Sequence, residues 1–163
     1  MNRTKKLTVS GILIALGVIL STFSIPIGVT KCFPIQHLIN VLAAVILGPF
    51  HGVSMAFITS LIRVMLGTGT LLAFPGSMCG GLLAALLYKQ KKNIYLAFLG
   101  EVIGTGIIGA LVAYPMAAVF MSREAALFGF VVPFSMSSFV GSVIALVFIA
   151  VFKRVKLFEI ITN

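Results

Sequence analysis

Residues 94–120 read IYLAFLGEVIGTGIIGALVAYPMAAVF, and residues 126–152 read ALFGFVVPFSMSSFVGSVIALVFIAVF. The first stretch carries one charged side chain, Glu101, and the second carries none. Apolar runs of about 18 residues or more mark transmembrane helices, because a bilayer offers the backbone no partner outside its own segment. The polar break between the two runs is Ser122-Arg123-Glu124. The rest of the chain has the same character. Of its 163 residues 60% are hydrophobic and 9% charged, against about 25% charged in average soluble domains. At about 20 residues per crossing, this length accommodates about six spans and no separate soluble domain.

Basic clusters flank these runs: Lys89, Lys91 and Lys92 precede the first, and Lys153, Arg154 and Lys156 follow the second. A third cluster, Arg3, Lys5 and Lys6, opens the chain. A net charge of +9 in a soluble protein would point to nucleic acid. Here the charge is gathered between apolar runs, the pattern of cytoplasmic loops. Placing all three clusters inside puts both termini in the cytoplasm and forces an even number of crossings between them. Between Leu7 and Tyr88, breaks at Ile27–Pro34, Gly48–Gly52 and Gly67–Gly76 divide the chain into four helices. The expected fold is an all-α integral membrane protein: one domain over 1–163, a six-transmembrane-helix bundle. The helices fall at about 7–26, 35–48, 52–66, 77–88, 94–120 and 126–152. The start resembles a signal peptide, but the run Leu7–Ile25 is long for one and no small-x-small cleavage site follows, so it reads as a retained helix. Cys32 and Cys79 are too few for a disulfide framework and read as small apolar fillers.

On this topology the polar residues gather at the outer ends: Lys31, Gln36, His37, Asn40, Arg63, Thr68, Thr70, Ser77, Tyr114, Arg123, Ser135, Ser137 and Ser138. The inner half is nearly all aliphatic apart from the basic clusters and Glu101, with His51 in an inner turn as a plain interfacial residue. A polar cup over an apolar floor suits a solute receptor and not a continuous channel. Gln36 and His37 stand four and three residues before Asn40, so the three share a helix face. They could hydrogen-bond a small heterocycle or hydroxyl, or serve as local caps after Pro34. Arg63 either snorkels to the interface or contacts a ligand or Glu101. Glu101, a carboxylate inside a span, is a functional candidate by default, and Arg63 is its best-placed partner.

Gly67-Thr68-Gly69-Thr70 and Ala73-Phe74-Pro75-Gly76-Ser77 form the least ordinary stretch. Its glycines could present backbone N–H groups to a phosphate, although no Walker motif is present, and Pro75 reads as a turn before the fourth helix. A second Gly-Thr-Gly, Gly104–Gly106, reads as helix packing. On the first helix Gly11 and Ala15 form a small-xxx-small pair able to meet another helix, within the bundle or on a partner. No catalytic motif, cofactor motif or metal spacing is present, so the chain reads as a non-enzyme; with no nucleotide-binding motif, active transport would need a partner's energy. The alternatives are a stand-alone small secondary transporter or channel, favoured by uptake in ATP-free vesicles, and an intramembrane enzyme built on Glu101.

The sequence resembles the S components of energy-coupling-factor (ECF) vitamin transporters, of the ThiW type. The resemblance is carried by Ala15-Leu16-Gly17-Val18-Ile19-Leu20-Ser21, Phe33-Pro34-Ile35-Gln36-His37-Leu38-Ile39-Asn40 and Gly48-Pro49. Arg63 with the two glycine-rich stretches, and Gly104-Thr105-Gly106-Ile107-Ile108-Gly109, carry it further. It implies a six-helix receptor in the prokaryotic cytoplasmic membrane that captures a thiamin precursor, hydroxyethylthiazole, at the outer face. Such a receptor docks on a transmembrane T subunit served by two cytoplasmic ATPases and topples in the membrane to deliver its ligand. For such a receptor the residues expected to contact the ligand are Gln36, His37 and Asn40, with Arg63 and Glu101 orienting or closing the site and Tyr114 and Ser135 completing it. The implied T-subunit contact is Gly11 and Ala15, where the family pattern has Ala-xxx-Ala, and the loop Ile27–Pro34 is implied as a lid.

Overall fold

The structure, a computed structural model, describes residues 1–27, 30–121 and 128–156. The first helix, α1 (Arg3–Leu20), starts where Asn2 Oδ1 accepts from the Lys5 amide at 2.9 Å, which satisfies one of the free N–H groups of the first turn. Next, β1 (Ile25–Ile27) and β2 (Thr30–Cys32) pair antiparallel, with Ile25 opposite Cys32. The irregular loop expected there is therefore a β-hairpin. Helix α2 (Pro34–Ile46) takes Pro34 in its first turn, where a missing N–H costs nothing. Gly48, at φ +83°, turns the chain directly into α3 (Pro49–Met65), again with proline at the start. His51 lies in the first turn of that helix, edge-on to Phe50.

Helix α4 (Ala73–Lys91) begins before the expected residue 77 and continues past 88, so it is not short. Pro75 is in its opening turn rather than in a turn before it. Proline is tolerated there because the first amides of a helix lack intrahelical acceptors. The expected 94–120 rod is three consecutive elements: α5 (Ile94–Ile103), a π-helical segment (Gly104–Gly109) and α6 (Ala110–Met121). Asn93 Oδ1 caps α5 by accepting from the Tyr95 amide at 2.9 Å. The last helix, α7, runs Val131–Arg154. The expected break Ser122-Arg123-Glu124 lies outside the described residues.

The interior divides into two ends. One apolar core joins residues near the start of α1 (Met1, Val9), the end of α2 (Val45, Leu47) and the end of α4 (Ala84, Tyr88). Ile94 and Ala97 of α5 and Ala145 and Ile149 of α7 belong to it as well. The three basic clusters flank helix ends belonging to this core. Buried polar residues collect elsewhere, on the first half of α2, the second half of α3, the start of α4 and the start of α7. The outer surface is apolar: Leu7, Ile19, Phe57, Ile107, Val132 and Val147 are all exposed. Ionic and amide groups inside with aliphatic groups outside reverses the soluble pattern and matches a lipid solvent. Two stretches, Ile94–Phe120 and Val131–Arg154, are long and apolar enough to cross a bilayer; α2 and α3 are shorter apolar helices.

Helix α4 approaches the α5–π rod very closely. A Cβ on Gly104 would stand 2.6 Å from the Cys79 carbonyl oxygen, and one on Gly100 2.6 Å from Ala84 Cα. Small residues here let two backbones touch, and backbone contact is the main attraction between helices where no water drives them together. The packing expected of Gly104–Gly106 is present, and it is what carries the neighbouring Thr105 into the interior.

Candidate functional site

A cavity of about 420 Å³ lies among α2, α3, α4, the π segment and α7. Gln36, His37, Arg63, Thr70, Ser77, Thr105 and Ser137 supply its polar wall, and Phe33, Leu72, Phe130, Pro133 and Phe134 its apolar wall. Its size and its few convergent polar groups suit a small organic ligand.

Two linked polar groups support the wall. In the first, Arg63 is 1% exposed. One guanidinium nitrogen donates to Gln36 Oε1, another reaches the Thr68 carbonyl at 3.4 Å, and the group lies 4.6 Å from the centre of the Phe33 ring. Gln36 Nε2 in turn donates to Ser60 Oγ at 3.1 Å, and Ser60 Oγ meets Ser77 Oγ at 3.0 Å. In the second, Glu101 is 0% exposed. Its Oε1 receives His37 Nδ1 at 2.8 Å, Asn40 Nδ2 at 2.9 Å and Thr105 Oγ1 at 3.2 Å. Asn40 Nδ2 also donates to the Ser77 carbonyl at 3.1 Å, which joins the two groups. Facing a carboxylate, His37 Nδ1 must be the donor. A neutral ring then has Nε2 as an acceptor, and a protonated ring has Nε2 as a donor.

The sequence-expected residues divide by position. Gln36, His37 and Arg63 border the cavity. Asn40 and Glu101 stand behind that wall: both Asn40 N–H groups are already spent on Ser77 and Glu101, and Glu101 fixes His37. Arg63 and Glu101 form no ion pair with each other; Glu101 pairs with His37 instead. Tyr114 and Ser135 do not border the cavity, and Ser135 packs against Gly106 of the π segment. Thr105, Phe33, Phe134 and Ser60 were missed. A lone threonine in an aliphatic run was the one available signal, and the glycines flanking Thr105 drew the reading toward packing.

Gly67-Thr68-Gly69-Thr70 is a helix stop, not a phosphate cradle. Gly67 takes φ +71°, and the amides of Thr68 and Gly69 both donate to the Arg63 carbonyl, at 2.9 and 3.1 Å. Those N–H groups are therefore committed, and they close the end of α3 around the residue whose side chain enters the cavity. The hairpin packs against α7 beside the cavity. Cys32 is buried against α7, and the Phe33 amide donates to Ser137 Oγ at 3.1 Å. Both cysteines are free. Among the described residues, no three His, Cys, Asp or Glu side chains cluster as a metal site.

Comparison with known proteins agrees with this geometry. A solved structure reported as the structure and mechanism of the S component of a bacterial ECF transporter superposes with a TM-score of 0.75 at 21% identity. It covers 97% of this chain and 99% of that one. At that identity the likeness is one of fold. No curated protein matches the sequence. The family described as "Thiamine-precursor transporter protein (ThiW)" matches residues 7–155, nearly the whole chain, and on that match the chain belongs to the ThiW family of thiamine-precursor transporters.

Proposed function

We propose that this protein is the substrate-binding S component of an ECF importer, a single membrane domain that takes up a thiamin precursor built on hydroxyethylthiazole. The observation that carries the reading is the cavity with its buried polar wall, at the end of an apolar bundle remote from the basic clusters. By the excess of Lys and Arg on cytoplasmic loops, the clustered end and both termini are inside, and the cavity belongs to the outer face of the prokaryotic cytoplasmic membrane. His37, held by Glu101, and Thr105 would bind the polar atoms of the thiazole alcohol, with Phe33 and Phe134 against the ring. The hairpin beside Phe33 would serve as the lid. Isothermal titration of purified protein with hydroxyethylthiazole, the aminopyrimidine half of thiamin and riboflavin tests this. Thiazole binding alone is expected; binding of another member with none of thiazole reassigns the substrate.

Transport would require a transmembrane T subunit and two ATPases, since this chain lacks a nucleotide-binding motif. The face of α1 bearing Gly11 and Ala15 supports such docking. Both residues are exposed, and a Cβ on Gly11 would meet nothing within 4 Å, whereas Gly17 on the neighbouring stripe packs on Thr59. A Gly11→Leu substitution is expected to leave ligand affinity unchanged but to lower ATP-driven uptake by the assembled transporter about tenfold or more, by holding two helices apart. Normal uptake by that variant would remove Gly11 from the docking face.

A further inference from the structure

The Arg63 guanidinium is buried, borders the cavity, and has only neutral partners among the described residues: the Gln36 carbonyl oxygen, the Thr68 carbonyl and the Phe33 ring. Its Nε–H has no hydrogen-bond partner among the described residues. Arginine does not shed its proton to escape such a setting. The buried carboxylate among the described residues, Glu101, is committed through Oε1 to His37, Asn40 and Thr105, and makes no ion pair with Arg63. A cation removed from water without a counter-ion is costly, and a planar guanidinium with unused N–H capacity is the usual protein partner of carboxylate and phosphate oxygens.

From this we infer that the ligand is anionic: the thiazole compound carries an oxyanion, phosphate or carboxylate, on its side chain, seated against Arg63, while the ring end faces His37 and Thr105. Resting on the thiazole reading above, this adds the charge of the ligand. The division of labour follows from the wall. Glu101 makes the His37 end rich in electrons and unsuited to an anion, whereas the Arg63 end carries positive charge that no group among the described residues neutralises by contact. An anion there would gain hydrogen bonds to a charged donor, which are worth more than neutral ones.

The test compares hydroxyethylthiazole, its phosphate monoester and the corresponding thiazole acetic acid by isothermal titration against the full chain in detergent. At least one of the two anions is expected to bind about tenfold to a hundredfold more tightly than the alcohol, and which one does so identifies the oxyanion. Alcohol binding as tight as both anions overturns the inference and leaves the thiazole reading standing. Absence of binding by all three overturns both. In Arg63→Gln the anion-to-alcohol affinity ratio is expected to fall toward one, and in Arg63→Lys to stay above one. An unchanged ratio in Arg63→Gln overturns the assignment to Arg63. Should that variant not fold, the comparison on the unmodified protein decides alone.

Discussion

Replacing Glu101 by alanine is expected to weaken binding of a thiazole ligand by more than about a hundredfold and to destabilise the protein by about 3–5 kcal/mol, the usual consequence of removing one partner from a buried pair. The carboxylate is wholly buried, and three donors, two from α2 and one from the π segment, converge on one of its oxygens. Without it, His37 Nδ1 and one Asn40 N–H lose their shared acceptor, while the Thr105 hydroxyl keeps the Gly76 carbonyl at 3.0 Å. Each such orphan costs about 1–3 kcal/mol. Binding falls further because His37 loses the contact that fixes its tautomer and its angle to the cavity. Glu101→Gln separates the two effects. Its amide oxygen can still accept from the three donors, so stability should largely return. The charge-assisted hydrogen bond to His37 Nδ1 becomes a weaker neutral one, so affinity should recover only in part. Titration calorimetry and thermal unfolding in detergent give both numbers. Near-native affinity in Glu101→Ala would remove the His37–Glu101 pair from the binding machinery.

The second large effect is expected at Gly104, which contacts no ligand-facing group itself. Gly104→Ala adds a Cβ within 2.6 Å of the Cys79 carbonyl and 2.8 Å of Gly80 Cα. These are backbone atoms of α4, so no rotamer change can relieve the clash. Separating α4 from the α5–π rod is expected to cost about 1–3 kcal/mol, in the range of overpacked cores. Affinity should fall with stability, because Thr105 bridges that seam to the Gly76 carbonyl at 3.0 Å and to Glu101. Thermal unfolding and titration of Gly104→Ala, with Gly11→Ala as the control on an open face, provide the measurement. Equal unfolding temperatures for the two variants would show that the seam yields easily.

Much of the plan could be read along the chain. The starts expected at about 35 and 94 fall within a residue of those of α2 and α5. By contrast, α1 and α3 begin at Arg3 and Pro49, ahead of the expected 7 and 52, because Asn2 caps the one and proline fits the first turn of the other. Gln36, His37 and Asn40 were legible as one polar face because helical spacing alone brings them together. Their separate duties were not legible: Gln36 serves Arg63, while Asn40 and His37 hold Glu101, partners 61 and 64 positions away. The stretch 73–77 was read as punctuation because proline and glycine usually interrupt helices. Helix α4 nonetheless starts there, since its first amides need no acceptors and its glycines are required for contact with the neighbouring rod.

The sequence by itself determined that this is an apolar, helical membrane protein whose charges gather at a few loops. Hydropathy and charge are sums over neighbouring residues, and the cost of placing a residue in lipid does not depend on which helix lies beside it. Only the tertiary structure decided that Glu101 answers His37 rather than Arg63. It also decided that a π segment carries Thr105 to the cavity wall and that Gly67–Thr70 closes α3 around the arginine. Those outcomes depend on how closely α4, α5 and α2 can approach one another. A buried charge takes the partner that packing brings within about 3 Å, not the one sequence spacing suggests.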